Sequence, residues 1–159
     1  MSSLRLGIGA DEIGAGLKDH LLASLAEDPR VSSLRDYSEE MTDPNCAYPV
    51  VAIRVAQAIS HGEIDRAILV CGTGIGMSIS ANKVPGVRAA VVHDGYSAER
   101  SVLSNNCQIM TLGSRIIAEV AAFRLVNEWL GYQFDPTSPS AAKLQVISDY
   151  ERALERARD

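Results

Sequence analysis

Residues 66–71, "RAILVC", run apolar from Ala67 to Cys71 without polar alternation. A strand with that pattern has to be covered on both faces, which is the situation of a central strand in a parallel sheet flanked by crossover helices. Other segments fit the same plan. "LRLGIG" (4–9), "GVRAAVVHD" (86–94) and "CQIMTLG" (107–113) read as further strands, and "VSSLRDY" (31–37) as a weaker one. The stretches between them carry helical spacing. Leu17, Leu21, Leu22 and Leu25 share a face in 16–28, and Val51, Val55, Ala58 and Ile59 do so in 49–60. Helices over 73–82, 96–104 and 117–131 complete the alternation. The expectation is an α/β three-layer αβα sandwich around a Rossmann-like five-stranded parallel sheet. Residues 1–133 read as this domain. Residues 134–159, a Pro- and Ser-rich linker and a charged last helix from Leu144 onward, read as a tail packing on a neighbouring subunit.

Ligands of such folds sit beyond the carboxyl ends of the strands, here the loops beginning at Gly9, Tyr37, Cys71, His93 and Gly113. Composition narrows what they bind. A net charge of −5 leaves no basic stripe for nucleic acid, and no apolar run approaches the length of a membrane span. The three cysteines, Cys46, Cys71 and Cys107, lack CxxC spacing, so neither a metal nor a disulfide framework is expected. With no signal-like N-terminus, the reading is a cytoplasmic protein with free thiols.

Directly after the central strand comes "GTGIG", residues 72–76. This is neither the GxGxxG of a dinucleotide fold nor a P-loop. Glycines at a strand-to-helix junction let backbone N–H groups point into the cleft, which makes an anion cradle. A thiol on the residue before the cradle feels the same positive potential, and the thiolate form gains. From position alone, Cys71 is either such a reactive group or a small core residue.

The run "CGTGIGMSISANKVPGVRAAVVHDGYSAE", with "GADEIGAGLK" upstream and "NNCQIMTLGSRII" downstream, closely resembles the ribose-5-phosphate isomerase B and galactose-6-phosphate isomerase family over residues 4 to about 131. The resemblance implies cofactor-free aldose–ketose isomerisation of a sugar phosphate through a cis-enediolate. It makes Cys71 the proton acceptor and Thr73 its assistant, and it has the amides of Gly72, Gly74, Ile75 and Gly76 hold the enediolate oxygen. Asp11 matches a residue bonding sugar hydroxyls, or it caps the first helix. Tyr48 matches a substrate contact, or it is a helix-start core tyrosine. Asn105 matches a substrate-contacting asparagine. Arg115 matches an arginine near the phosphate, or it forms a surface ion pair. Asn82 and Lys83 read as loop-shaping, and His20 and His61 as solvated. The family further implies a homodimer or a dimer of dimers, each active site completed by the neighbour's C-terminal segment.

The chain departs from the family pattern in three places. The ring-opening histidine falls at Ser104, and a histidine beside the first-loop aspartate is Glu12. The C-terminal phosphate-binding arginines face "DPTSPSAAK", where Lys143 is the only cation; Ser138 and Ser140 are further phosphate candidates. Serine cannot replace an imidazolium as general acid near neutral pH. A tetrulose 4-phosphate, whose terminal oxygen is esterified, closes no five-membered ring and needs no such acid. With "SAERSVLSNN", the missing histidine resembles the D-erythrulose-4-phosphate isomerase branch, which acts in tetritol catabolism. The expected reaction is therefore D-erythrulose 4-phosphate to D-erythrose 4-phosphate. Three alternatives stay open: a ribose-5-phosphate isomerase with His93 or Ser104 as acid, a galactose-6-phosphate isomerase subunit, and a non-catalytic sugar-phosphate-binding subunit. His93 itself is either that acid or a hydrogen-bonded structural residue.

Overall fold

The computed structural model describes residues 3–38 and 47–157. Cys46 and most of the loop before Tyr48 lie outside the described residues. In chain order the elements are β1 (Leu4–Ala10), α1 (Ala15–Leu25), β2 (Val31–Asp36), α2 (Tyr48–Ser60), β3 (Arg66–Cys71), α3 (Ile75–Ala81), β4 (Ala89–Val91), α4 (Gly95–Leu103), β5 (Ile109–Gly113), α5 (Glu119–Gly131) and α6 (Ser140–Arg156). The five strands are parallel, in the order β2-β1-β3-β5-β4. This is the α/β sandwich the alternation predicts.

The unbroken apolar character of β3 is used on both sides. Ile68 and Val70 enter a core with Leu17, Leu21 and Leu25 of α1 and with residues of α4 and α5. Ala67, Leu69 and Cys71 enter a second core with Val51, Val55, Met77 and Ala81 of α2 and α3. The chain leaves β1 toward β2 through α1 and leaves β3 toward β4 through α3, in opposite directions along the sheet. Right-handed crossovers then put α1 and α3 on opposite faces, which opens a crevice at the carboxyl ends of β1 and β3. Cys71 ends β3 at that crevice.

Three boundaries differ from the periodicity, each for a local reason. β4 covers 89–91 instead of 86–94, because side chains replace a neighbouring strand at its start. Asn82 Oδ1 accepts from Ala89 N (2.9 Å), Asn82 Nδ2 donates to Ala89 O (2.8 Å), and Arg88 N donates to Gln108 Oε1 (2.8 Å). α3 begins at Ile75, not 73, since Gly74 has φ +78° and cannot continue a right-handed helix. α6 begins at Ser140 rather than Leu144, after Pro139, whose φ of −57° already suits a helix start.

Candidate functional site

The turn after β3 is built around Cys71, which is buried. Gly74 N donates to Cys71 Sγ at 3.1 Å. An amide N–H aimed at sulfur is bonded more strongly by a thiolate than by a thiol, because bonds to the charged form are charge-assisted. Gly74 reaches this position only because it is glycine. Its φ is left-handed, and a Cβ there would sit 3.0–3.2 Å from the backbone of Leu112 in β5. Gly76 is needed for a second reason: a Cβ would come within 2.4 Å of the Tyr48 ring, so α2 and α3 can approach only without one. The ring of Tyr48, at the N-terminus of α2, thus lies directly on the turn.

Thr73 is exposed on the rim, and its Oγ1 accepts from Ile75 N at 3.3 Å. The opposite wall comes from the segment after β5. Ser114 N donates to Cys71 O (2.8 Å) and Arg115 N to Gly72 O (3.1 Å), which staples the two loops together. Arg115 extends over Gly72, with its Cδ and Nη1 3.7 and 3.8 Å from where a Cβ would lie. Asp11 follows β1, and its Oδ1 accepts from Gly14 N at 2.9 Å, which fastens the turn before α1; the N-cap of α1 is Gly14, with no side-chain cap bond, so Asp11 is not the helix cap, and it stands at the same crevice with Glu12 exposed beside it. A cleft of about 740 Å³, lined by Ile13, Leu17, Ser114 and Arg115 among others, adjoins the turn between α1 and α5; Cys71 does not line it.

His93 has a fixed bond. Gly113 N donates to His93 Nε2 at 2.8 Å, so that nitrogen is an acceptor and the proton of the neutral ring is on Nδ1. Burial pushes its pKa below the ordinary histidine value, against a smaller opposing pull from Asp94. A neutral imidazole held this way is a structural acceptor, and the Ser104-replacing acid role does not fit it.

Ser104, Asn105 and Lys143 are elsewhere. α4 runs back from the carboxyl edge, so Ser104 and Asn105, at its C-terminal end, lie by the start of β5, whereas Cys71 pairs with Gly113 at the end of β5. The length of β5, roughly 13 Å, separates the two groups. Asn105 lines a different cavity of about 410 Å³, together with Arg88, Ser97, Arg100 and, from α6, Leu144 and Ile147. Lys143, adjacent to Leu144, belongs to this end too. Within one chain, the sequence-derived site is therefore split between opposite edges of the sheet.

Sequence reasoning passed over Ser114 and the two arginines of the second cavity, Arg88 and Arg100. For Arg100 a signal existed: it stands four residues before Ser104 in a helical segment, hence on the same face. Cys107 is a contrast to Cys71. It is buried without a donor aimed at it, and burial pushes its thiol up to about 11. Among the described residues, no group of three or more His, Cys, Asp or Glu side chains is placed to hold a metal ion, and no helix is long and apolar enough to cross a membrane.

Comparison with known proteins identifies the family and agrees with the fold. The family model described as Ribose/Galactose Isomerase matches residues 6–147. The chain is 47% identical to D-erythrulose-4-phosphate isomerase 2 of Mycolicibacterium smegmatis, over 95% of this chain and 99% of that protein. It is 43% identical to D-erythrulose-4-phosphate isomerase of Pectobacterium atrosepticum, over 93% and 95%. Among solved structures, ribose-5-phosphate isomerase B of Clostridium thermocellum superposes with a TM-score of 0.85 at 34% identity, covering 94% of this chain and 99% of that one. With the match running from inside β1 to inside α6, the chain belongs to the ribose/galactose isomerase family.

Proposed function

We propose that the chain interconverts D-erythrulose 4-phosphate and D-erythrose 4-phosphate through a cis-enediolate, with Cys71 as the base. The observation that carries this is the Cys71 sulfur at the carboxyl end of the central strand, bonded by Gly74 N–H and rimmed by Thr73, Tyr48 and Arg115. In the ketose-to-aldose direction, the thiolate takes a proton from C1 and the C1–C2 enediolate forms. The thiol then returns the proton to C2, while the O1 hydroxyl proton passes to O2 with the help of Thr73. Hydrogen moves within one molecule and no electrons leave it, so no redox partner is required. Of the turn's amides, Gly74 N–H serves the Cys71 sulfur and Ile75 N–H the Thr73 hydroxyl, so the charge that develops on oxygen falls to the remaining N–H groups of the Gly72–Gly76 turn, set in place by the fold before substrate arrives. Asp11 and Glu12 face the sugar hydroxyls.

Two features support a four-carbon substrate. The relatives at 47% and 43% identity bear that activity in their names. Ser104 offers no imidazolium, and a tetrulose 4-phosphate needs no ring opened.

A second copy completes the site in this reading, bringing its Ser104–Asn105 end and α6 to the first copy's Cys71 turn. The exposed apolar surface supports it. None of the residues of the 17-residue helix α6 is buried, yet Val146, Ile147, Tyr150 and Leu154 form an exposed stripe along it. A polar helix with an uncovered stripe gains its stability from a partner surface. The free thiols of Cys71 and Cys107 suit a cytoplasmic setting.

The test is a kinetic panel of tetrulose, pentose and hexose phosphates on the wild type and on Cys71→Ser. The serine retains an acceptor for Gly74 N–H but not an accessible anion. The expected result is highest kcat/KM for the four-carbon pair and a loss of about 10²–10⁴-fold or more in Cys71→Ser, with an unchanged melting curve. Preference for ribose 5-phosphate would overturn the substrate, and activity kept within tenfold in Cys71→Ser would overturn the base.

A further inference from the structure

We infer that Arg100 is the phosphate-binding residue that sets the four-carbon specificity of this chain, acting on the active site of the neighbouring copy. The inference rests on the shared-site reading above.

The Cys71 end is poorly provided for a dianion. Around the turn stand the carboxylates of Asp11 and Glu12 and one guanidinium, Arg115, while His93 is held neutral by Gly113 N–H. A phosphate monoester is bound by planar, multiply donating cations, and a single guanidinium opposed by two carboxylates is a weak holder. Further positive charge has to arrive with the other half of the site.

That half is the last turn of α4, and Arg100 is part of its structure. Asn105 Nδ2 donates to the Arg100 carbonyl at 3.0 Å, and Arg100 Nη1 donates to Ser104 Oγ at 3.3 Å. The three residues form one unit, so a copy that presents Asn105 to its neighbour presents the Arg100 guanidinium with it. Arg100 is also incompletely used within its own chain. Nη2 donates to Glu99 Oε1 at 2.5 Å, but Nε is buried with no hydrogen-bond partner. That Nε is enclosed by its own chain, so a phosphate from the neighbouring copy meets the Nη1 and Nη2 edge of the guanidinium, whose side chain is 38% exposed, and takes the place of Glu99 on Nη2. Arg100 lines the 410 Å³ cavity, and the other arginine there, Arg88, is tied by its Nε to Asn106 O at 3.0 Å.

Position explains the specificity. Removing one carbon from a sugar phosphate draws the phosphate one bond closer to the C1–C2 pair that Cys71 serves. The side chain that must meet it then belongs nearer the Ser104 position than a group placed for a five-carbon substrate. Arg100 reaches to Ser104 Oγ, and a serine fills less of that space than the histidine of the family pattern. The same arginine would crowd the chain of a longer substrate.

The experiment compares wild type, Arg100→Gln and Arg100→Lys on D-erythrose 4-phosphate and D-ribose 5-phosphate, with inorganic phosphate as a competitive probe. Melting curves and sedimentation report fold and assembly. Arg100→Gln is expected to raise KM for the four-carbon substrate and weaken phosphate inhibition, losing about 10²-fold in kcat/KM mostly through KM, with Arg100→Lys recovering part. Mixing Cys71→Ser with Arg100→Gln subunits should restore about a quarter of wild-type activity, since randomly formed two-fold pairs then contain sites with an intact thiol and an intact neighbouring arginine. Unchanged KM and phosphate inhibition in Arg100→Gln would overturn the inference, as would mixing without recovery. Should Arg100→Gln not fold, the KM-against-kcat split of Arg100→Lys decides in the same way. Should the wild type turn over no sugar phosphate, the proposed function falls by itself. Phosphate binding to Cys71→Ser, with and without Arg100→Lys, then still tests the arginine.

Discussion

Replacing Gly74 by Ala tests whether the turn after β3 is as tightly specified as its geometry implies. The residue has φ +78° and ψ −13°, where an L side chain costs about 1–2 kcal/mol. The new Cβ would stand 3.0–3.2 Å from the C, N and O atoms of Leu112, which belong to the backbone of β5 and cannot swing away. Squeezing a methyl into such a place costs about 1–3 kcal/mol. Restricting the unfolded chain returns about 0.4–1 kcal/mol. The net loss is then roughly 1–5 kcal/mol, or about 2–18 °C in Tm for a chain of this size. Activity should suffer more than stability, because relief of the clash moves Gly74 N–H off the Cys71 sulfur, where it now lies at 3.1 Å. Loss of a preorganised donor to an oxyanion costs about 10²–10³-fold in kcat, and this donor bonds the sulfur of the base instead, so a loss of up to that size is expected. Gly72→Ala is the internal control. Its Cβ would meet Ile13 and Arg115 at 3.6–3.8 Å, ordinary contact distances, so its Tm should stay within about 2 °C of wild type. Thermal melts and initial rates on both variants are the assay. A Gly74→Ala protein that melts and turns over like Gly72→Ala would refute the close-approach argument.

Two further outcomes follow from the titratable groups. His93 has its pKa held below that of the unfolded chain by burial, so both states are neutral at high pH and the full stability is present above about pH 6.5. As pH falls from there, the unfolded state takes up the proton first, and stability is lost progressively; His93→Asn, which keeps an acceptor for Gly113 N–H, should flatten that part of a urea-midpoint-against-pH curve, and an unaltered slope would count against the neutral assignment. Cys71 and Cys107 are about equally buried, at 5% and 6% exposure, but only Cys71 receives an amide N–H. Iodoacetamide at pH 7.5 should therefore modify Cys71 faster by about tenfold or more, read by peptide mass mapping, while the Cys107 thiol pushed up to about 11 stays unreacted; preferential labelling of Cys107 would contradict this.

What was legible in the sequence is whatever a local pattern determines. β3 could be read because both of its faces are apolar, and the Gly72–Gly76 turn because glycines, a thiol and a strand end occur in one short stretch. β4 was read too long because its early residues are bonded by the side chains of Asn82 and Gln108, partners 7 and 20 residues away that no local window reveals. The division of the site was not legible either. Ser104 and Asn105 follow Cys71 by 33 and 34 positions, and nothing in that spacing says that α4 carries them to the other edge of the sheet. Only the parallel register, with Cys71 opposite Gly113 at one end of β5 and Ala67 opposite Ile109 at the other, fixes the separation.

That separation bears on how the chemistry could be assembled at all. A base that works as a thiolate needs positive potential that remains after substrate binding, and a phosphate dianion brought close to it works against the ionised sulfur. One chain that held both the thiolate and every phosphate-binding cation on one edge would have to order them in a single loop cluster. Here the Cys71 turn is fixed by bonds that make no use of cations: Gly74 N to sulfur, and the Ser114 and Arg115 amides to the Cys71 and Gly72 carbonyls. The arginine unit of α4 is fixed separately, through Asn105 and Ser104. In the proposed pairing, association alone brings the two rigid halves together, so the substrate's length is measured by the distance between them. Changing that distance, or the reach of one side chain such as Arg100, retunes the sugar without disturbing the base.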